Sequence, residues 1–389
     1  MERSHRAKGL VRLTMACNER CPFCNVPAED YPSRPAPEGE LSAAIVDFVA
    51  AGEQTLTISG GEPTLLRRRL VALVAEARAA GLPFVELQTN AVLLDESYVT
   101  ELAEAGLTSA FVSLLSDVPE HHDALAGLKG AFERCLHGIR ALLAAGVSVT
   151  LNPVVALQTQ DRVADYVDFV AHQLPGVRHI SLSAVQPHGR GASNLDLLPD
   201  YAVLGPSVRQ ARERARAHGI TLLNPFCGLP LCVGWEEGVS VEAEHQDTGP
   251  GLENEGNKSH GAPCVHCTHR PVCPGAWHAV WTHRGGSGLA PVAEKAAPWA
   301  AGPLSQGAVR WGLSADAEGV TDVALRFSRR ALGFVRRDVA LTIGIFGGSE
   351  EAALQATKLA LEVAERVEID GHEALVEKLR RAGLPVRST

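Results

Sequence analysis

Cys17-Asn18-Glu19-Arg20-Cys21-Pro22-Phe23-Cys24 is followed, beginning thirty-six positions after Cys24, by Gly60-Gly61-Glu62-Pro63-Thr64. The three cysteines are spaced four and three apart. Three thiolates can hold three corners of a cubane 4Fe-4S cluster, which normally takes four cysteines, so one iron is left without a protein ligand. An open iron is a place to bind and cleave something.

Outward from these two motifs, residues 10–184 alternate short β-branched runs with longer helical patterns, the signature of βα units around a parallel sheet. Strands are predicted at 10–15, 54–59, 83–89, 108–114, 147–155 and 178–184, with helices at 39–52, 66–80, 95–105, 131–145 and 162–174. The fold class is α/β. Six units make a partial TIM-like barrel rather than a closed eight-stranded one, and in such folds reactive groups gather where strands end and loops begin. The cysteine loop follows the first strand, and Gly60-Gly61-Glu62 follows the second.

The chain has 389 residues, 46% hydrophobic and 21% charged, and its mean hydropathy is +0.02, the profile of a soluble globular protein with a sizeable core. Net charge is -9 with no long basic run, so there is no electrostatic footprint for nucleic acid. No segment reaches the ~18 uninterrupted apolar residues of a membrane span, and no apolar run follows the charged start, so no membrane contact and a cytoplasmic location are expected. Eight of the nine cysteines fall into two clusters with metal-ligand spacing, which is not a disulfide framework. The ninth, Cys135, repeats with Phe132, Leu136, Ile139, Leu142 and Leu143 at helical spacing and reads as a core residue.

Residues 201–290 lose the βα rhythm. After a helix at 203–218 and a strand at 220–223 come five cysteines and a polar stretch at 240–262, a region expected to need a metal to fold around. Residues 285–307 read as a linker rich in Gly, Ala and Pro. The last 80 or so residues read as a small α/β appendage: a strand pair at 320–327 and 338–346, a helix face marked by Ala356, Leu359, Ala360, Val363 and Val367, and a second helix starting at Leu375 and Leu379. Three units are therefore expected: a barrel over 1–200, a cysteine-rich region over 201–290, and a linker with appendage over 291–389.

The cysteine loop, with Phe23 before its third cysteine, and the Gly60-Gly61-Glu62-Pro63-Thr64 segment resemble the radical S-adenosylmethionine (radical SAM) enzymes over residues 10–185. The resemblance implies that Cys17, Cys21 and Cys24 bind a 4Fe-4S cluster. S-adenosylmethionine would chelate its open iron and be cleaved to a 5'-deoxyadenosyl radical, the cofactor carrying the hard step while the protein fixes geometry. Gly60 and Gly61 permit close backbone approach, with Pro63 beside them. Glu62 accepts from the methionine ammonium, and Phe23 lies against the adenine. Gln88, Thr89 and Asn90 end the third strand and Ser113 the fourth; Asn152 lies in the fifth and Arg190 just beyond the sixth, positions where the family contacts ribose and methionine. Relatives carry an arginine after the segment matching His122-Asp123, and Ala124, Leu125 and Ala126 stand there, so the resemblance implies that the carboxylate contact comes from elsewhere, with Arg190 one candidate. A zinc site is the other reading of the loop, but no fourth ligand is adjacent.

Cys227, Cys232, Cys264, Cys267 and Cys273 resemble the auxiliary-cluster extension called SPASM, or its shortened "twitch" form, of peptide-modifying radical enzymes. The longer form places a further cysteine where Trp277 stands. Two auxiliary clusters would need about eight cysteines, so one second 4Fe-4S cluster is expected. Cys264, Cys267 and Cys273 serve it, with Cys232 or Cys227 as the fourth; Cys264-x-x-Cys267 is also zinc-ribbon spacing. His266, His269, His278 and His283 crowd the same region and read as neighbours rather than ligands.

The resemblance implies oxidation or crosslinking of a peptide or small-protein substrate, with electrons from a donor such as flavodoxin or ferredoxin. No leader-binding module precedes residue 10, leaving that role to the C-terminal unit or a separate protein. The alternatives are a radical enzyme of small-molecule cofactor or natural-product synthesis, and a non-catalytic iron-sulfur electron carrier. His121, His122, Asp123 and His188 are within reach of the barrel mouth as acids or bases.

Overall fold

In the computed structural model, seven strands pair in succession and every pair is parallel. They are β1 (Lys8–Thr14), β2 (Thr55–Gly60), β3 (Phe84–Thr89), β4 (Ser109–Val112), β5 (Ser148–Leu151), β6 (His179–Ser181) and β7 (Thr221–Leu223). The structure describes residues 8–31, 34–225, 228–236, 258–267, 273, 275–292, 300–304, 308–315, 319–327, 340–346, 366–370, 377, 380–381 and 386–388. Helices connect the strands: α1 (Glu38–Ala50), α2 (Arg67–Ala79), α3 (Glu96–Ala105), α4 (Pro119–Ala126), α5 (Ala131–Ala144), α6 (Val163–Gln173) and α7 (Tyr201–His218). The six expected barrel strands are present, and the further strand expected at 220–223 is Thr221–Leu223, which joins the same sheet as a seventh beside β6. The fifth and sixth continue as Val154–Val155 and Ser183–Ala184, which pair with each other.

Strand alternation explains this sheet. Val11, Ile58, Leu87, Ala110 and Val149 are consecutive register partners, and all are buried. Their sequence neighbours point to the opposite face, which is polar: Thr57 Oγ1 donates to Glu86 Oε1 at 3.3 Å, and Ser59 Oγ to Gln88 Oε1 at 2.6 Å. The helices supply matching apolar stripes. α2 buries Leu70, Leu73, Val74 and Ala77 at helical spacing, and α5 buries Phe132, Cys135, Leu136, Ile139 and Leu142. Cys135 is fully buried there, as its spacing predicted. Each such aliphatic side chain contributes about 1.5–3 kcal/mol on leaving water. The same core continues through Leu229, Leu231, Val233, Trp235, Ala276, Trp277 and Val280, so the cysteine-rich region packs on the barrel's apolar surface.

Two elements bring the site together. β1 and β2 end side by side, and Gly61 N–H donates to Thr14 O and Glu62 N–H to Ala16 O, both at 2.8 Å. A Cβ on Gly60, whose φ is +137°, would lie 2.0 Å from Thr14 O, and one on Gly61 would lie 2.3 Å from Ala16 O. No side chain fits at either position. The helix α4, which the sequence reading omitted, ends at Gly127 with φ +64°, where its Ala126 carbonyl accepts from Arg20 N–H at 3.0 Å.

Toward the C-terminus, Ala300–Leu304, Ala308–Ala315, Gly319–Phe327 and Ala340–Phe346 pair antiparallel in order, and Arg366–Asp370 and Val386–Ser388 join parallel. The expected strand pair is present. Two expectations are corrected: the 285–307 stretch contains a strand, and Val367 lies in a strand between Leu341 and Val386 rather than on a helix. Val367 and Ile369 alternate with polar residues, and that period-two pattern favours a strand. Ala356, Leu359, Ala360, Val363, Leu375 and Leu379 lie outside the described residues. Among the described residues, no helix is long and apolar enough to cross a membrane.

His122 on α4 is 1% exposed, and its Nδ1 accepts from Leu115 N–H at 3.1 Å. Burial pushes its pKa down from 6.5 to about 4. In the unfolded chain it takes a proton near its ordinary value, so between those two pH values the unfolded state binds more protons and stability falls as pH falls. Urea unfolding should lose about 2 kcal/mol more in wild type than in His122→Asn between about pH 7 and about pH 5. Parallel losses in the two proteins would remove His122 as the cause.

Candidate functional site

The first cysteine loop is pinned on three sides. Thr14 Oγ1 accepts from Ala16 N–H at 3.2 Å where β1 ends, and α4 holds Arg20 as described. The third side is the segment after the sixth strand. Arg190 N–H donates to Cys24 O at 2.8 Å, Arg190 Nη1 to Cys21 O at 3.2 Å, and Asn194 Nδ2 to Pro22 O at 3.0 Å. Gly189 lies so close that a Cβ would sit 2.4 Å from Cys24 O. Arg190 also grips Glu29 with two hydrogen bonds of 2.5 Å, which holds the Glu29 carboxyl down at about 2. Its guanidinium therefore clasps the cysteine loop.

Glu62, 1% exposed, is the hub beside that loop. Its Oε1 accepts from Thr64 N–H at 3.0 Å, Thr64 Oγ1 at 2.6 Å and Thr89 Oγ1 at 2.7 Å, while Oε2 accepts from Asn90 N–H at 2.8 Å. Burial raises its pKa against those bonds. Oε2 has one donor and room for another. Pro63 starts the short turn Pro63–Leu66 that presents Thr64. Asn90 Nδ2 donates to Asn18 Oδ1 at 2.9 Å, joining the end of β3 to the cysteine loop. The following Ala91 has φ +60°, a left-handed conformation costing about 1–2 kcal/mol in a non-glycine residue.

Of the other expected cofactor positions, Gln88 lies in β3, Ser113 and Asn152 directly follow β4 and β5, and Phe23 lies in the cysteine loop. Gln88 meets Ser59 on the polar face, and Ser113 N–H donates to Thr89 O at 3.1 Å. Asn152 Oδ1 accepts from Ser183 Oγ at 2.9 Å, and Phe23 is half-buried against the core. Glu19 was missed. It is 6% exposed, and burial pushes its carboxyl up to about 7. The signal was a charged residue inside a short loop that its flanking cysteines must bury. Of the expected acid-base residues, His122 is a core residue and Asp123 caps α5, accepting from Phe132 N–H at 2.9 Å.

The donor chemistry fits an iron-sulfur cluster. Cys17, Cys21 and Cys24 lie in one loop, Glu19 N–H donates to Cys17 Sγ at 3.4 Å, and Asn18 Nδ2 is buried with no partner. Burial pushes the Cys17 and Cys21 thiols up, a shift that a metal bound there would oppose by favouring the thiolates.

A second cavity is lined by Cys232, Cys264, Cys267 and Cys273. Backbone amides point at its sulfurs: Leu231 and Gly275 N–H donate to Cys273 Sγ at 3.5 and 3.4 Å, and Val292 N–H to Cys267 Sγ at 3.4 Å. Amide donors to sulfur stabilise and tune such clusters. The helix His278–His283 and its turn close one side, with Trp281 in the wall and Trp281 Nε1 donating to Ser259 O at 3.1 Å. Trp277 is 1% exposed against His188, ring centroids 5.1 Å apart. His278 and His283 are exposed, and Cys227 and His269 lie outside the described residues. Among the described residues no three His, Cys, Asp or Glu side chains converge on a point suited to one bare metal ion.

Comparison with known proteins agrees with this geometry. Residues 11–170 match the model of the Radical SAM superfamily. Over 212 residues the chain is 31% identical to a PqqA peptide cyclase of Granulibacter bethesdensis, covering 53% of this chain and 56% of that one. It is 35% identical over 141 residues to an Fe-coproporphyrin III synthase of Methanosarcina barkeri, covering 36% and 35% of the two chains. The chain thus spans about half the length of the peptide cyclase it matches. A solved structure of Streptococcus suis SuiB bound to S-adenosylmethionine superposes with TM-score 0.45 at 18% identity, covering 56% of this chain and 46% of that one.

Anaerobic reconstitution should load about eight irons, four per cubane. Cys17→Ala, Cys21→Ala and Cys24→Ala combined should leave about four, as should the four substitutions Cys232→Ala, Cys264→Ala, Cys267→Ala and Cys273→Ala. Iron and sulfide assays check this, and one equivalent of zinc at the second cavity would contradict it.

Proposed function

We propose that this chain is a radical SAM enzyme that oxidises or crosslinks a peptide. The observation that carries the reading is the pair of cysteine sites in one continuous core: a three-cysteine loop at the mouth of the barrel and a separate four-cysteine cavity. Three thiolates leave an iron for a ligand to occupy, whereas four close the cluster. The similarity to a PqqA peptide cyclase supports a peptide as substrate.

Bound at Cys17, Cys21 and Cys24, the cluster and S-adenosylmethionine would supply reductive cleavage to a 5'-deoxyadenosyl radical that takes hydrogen from an unactivated carbon. The protein's own part is positional. Gly60 and Gly61 bring the chain against the cysteine loop, Glu62 Oε2 would accept from the methionine ammonium, and Gln88, Asn90, Ser113 and Asn152 would offer polar atoms to ribose and methionine. Phe23 would shield the adenine. Cys232, Cys264, Cys267 and Cys273, which line one cavity, would hold the second cluster. Forming a new bond from two substrate X–H bonds would release one hydrogen atom, one proton and one electron; the cofactor would supply the acceptor for the hydrogen atom, solvent would take the proton, and a cluster held by Cys232, Cys264, Cys267 and Cys273 would supply the acceptor for the electron. A flavodoxin or ferredoxin would supply electrons to the first.

With S-adenosylmethionine and dithionite but no peptide, the reconstituted enzyme should make 5'-deoxyadenosine slowly. A substrate peptide should accelerate that formation and lose two hydrogens by mass. If deoxyadenosine forms but no peptide accelerates it or changes mass, while a porphyrin or other small molecule does, the substrate is not a peptide.

A further inference from the structure

The turn Pro63–Leu66, which presents Thr64 to Glu62, is docked on α3 at two points. One is Tyr98, whose Oη donates to Thr64 O at 3.1 Å. Tyr98 and Thr64 are each 3% exposed, so this bond lies away from water. The other is Arg67, the residue that follows the turn. Its Nε and Nη2 donate to the Glu101 carboxylate at 3.0 and 2.9 Å, and Nη2 also donates to Ser97 Oγ at 2.7 Å. The same guanidinium lies 4.7 Å over the Tyr98 ring. The Tyr98 backbone is fixed as well, because its N–H donates to Asp95 Oδ1 at 2.7 Å where α3 begins.

Thr64 stands between Tyr98 and Glu62. Its N–H and its hydroxyl supply two of the donors on Glu62 Oε1, and Thr89 Oγ1 supplies a third. Oε1 is therefore filled, while Oε2 takes Asn90 N–H and keeps capacity for one donor more. A carboxylate turns about its last bond in a broad, roughly two-fold well, so the oxygen left with capacity is set by where Thr64 stands. Without the Tyr98 hydroxyl, the Thr64 carbonyl would be buried and short of its donor. Such a group is costly enough to shift the turn that carries it.

We propose that Tyr98 is a positioning residue for S-adenosylmethionine: through Thr64 it sets the rotation of the Glu62 carboxylate and keeps Oε2 open to the methionine ammonium. The inference rests on the reading that Glu62 accepts from that ammonium. Tyr98 acts on cofactor affinity through Glu62 and leaves the loading of iron at Cys17, Cys21 and Cys24 unchanged.

The test reconstitutes wild type, Tyr98→Phe, Glu62→Gln and the double variant with iron and sulfide, and measures their affinity for S-adenosylmethionine by anaerobic calorimetry. Tyr98→Phe should load as much iron as wild type and bind S-adenosylmethionine about 3- to 10-fold more weakly, the worth of one hydrogen bond. In the Glu62→Gln background the same substitution should cost less than about twofold, because residues acting through one another are not additive. Unchanged affinity, loss of iron in Tyr98→Phe, or equal weakening in the two backgrounds would overturn the proposal. Glu62→Gln binding as tightly as wild type would instead sink the reading beneath it. If Tyr98→Phe does not fold, Arg67→Met, which frees one face of the same ring, takes its place in both backgrounds. Unchanged affinity in that variant would likewise overturn the proposal.

Discussion

The passage of Gly60 and Gly61 along Thr14–Ala16 is the constraint on which the site depends. Two backbones meet there with no room for a Cβ at either glycine, and the two amide hydrogen bonds of 2.8 Å set the register between the end of β1 and the end of β2. Everything downstream inherits that register. The cysteine loop leaves from one side of the contact and Glu62 from the other, so three thiols and a buried carboxylate are delivered to the same carboxyl end of a parallel sheet. The resemblance leads one to expect these glycines to make room for a cofactor; in the structure their first service is to let the protein approach itself.

Around that contact the polar groups are nearly all spoken for. Glu62 binds Thr64, Thr89 and Asn90, and Asn90 reaches Asn18 in the cysteine loop. Such a network is rigid when satisfied and costly when broken, which suits a site that must hold a reactive species without side reactions. Arg190 plays a mechanical part, with its side chain divided between Glu29 and the Cys21 carbonyl. The segment carrying it also carries His188, whose ring meets Trp277 of the cysteine-rich region. The two cysteine sites are thus joined by one packed segment.

Much of this was legible in the residues. Cysteine spacing marks metal sites because ligand geometry dictates it, and the βα alternation shows because each strand is apolar on the helix-facing side. What escaped was set by tertiary contact. The strand Thr221–Leu223 was expected as a strand but is too short to announce that it extends the barrel sheet beside β6, and α4, with His121, His122 and Asp123 in its middle, lacks a clear apolar stripe. Val367 could extend a helical face in the sequence, yet its partners Leu341 and Val386 make it a strand residue. Glu19 was hidden because a glutamate usually reads as solvated, and only the folded loop shows it turned in toward sulfur.

The central claim is that Cys17, Cys21 and Cys24 form a cluster whose open iron takes S-adenosylmethionine. The most direct measurement is the electron paramagnetic resonance spectrum of the reduced first cluster, isolated by Cys232→Ala, Cys264→Ala, Cys267→Ala and Cys273→Ala, before and after adding S-adenosylmethionine. Direct ligation should change the line shape and g-values. A spectrum that S-adenosylmethionine leaves unaltered would contradict the account.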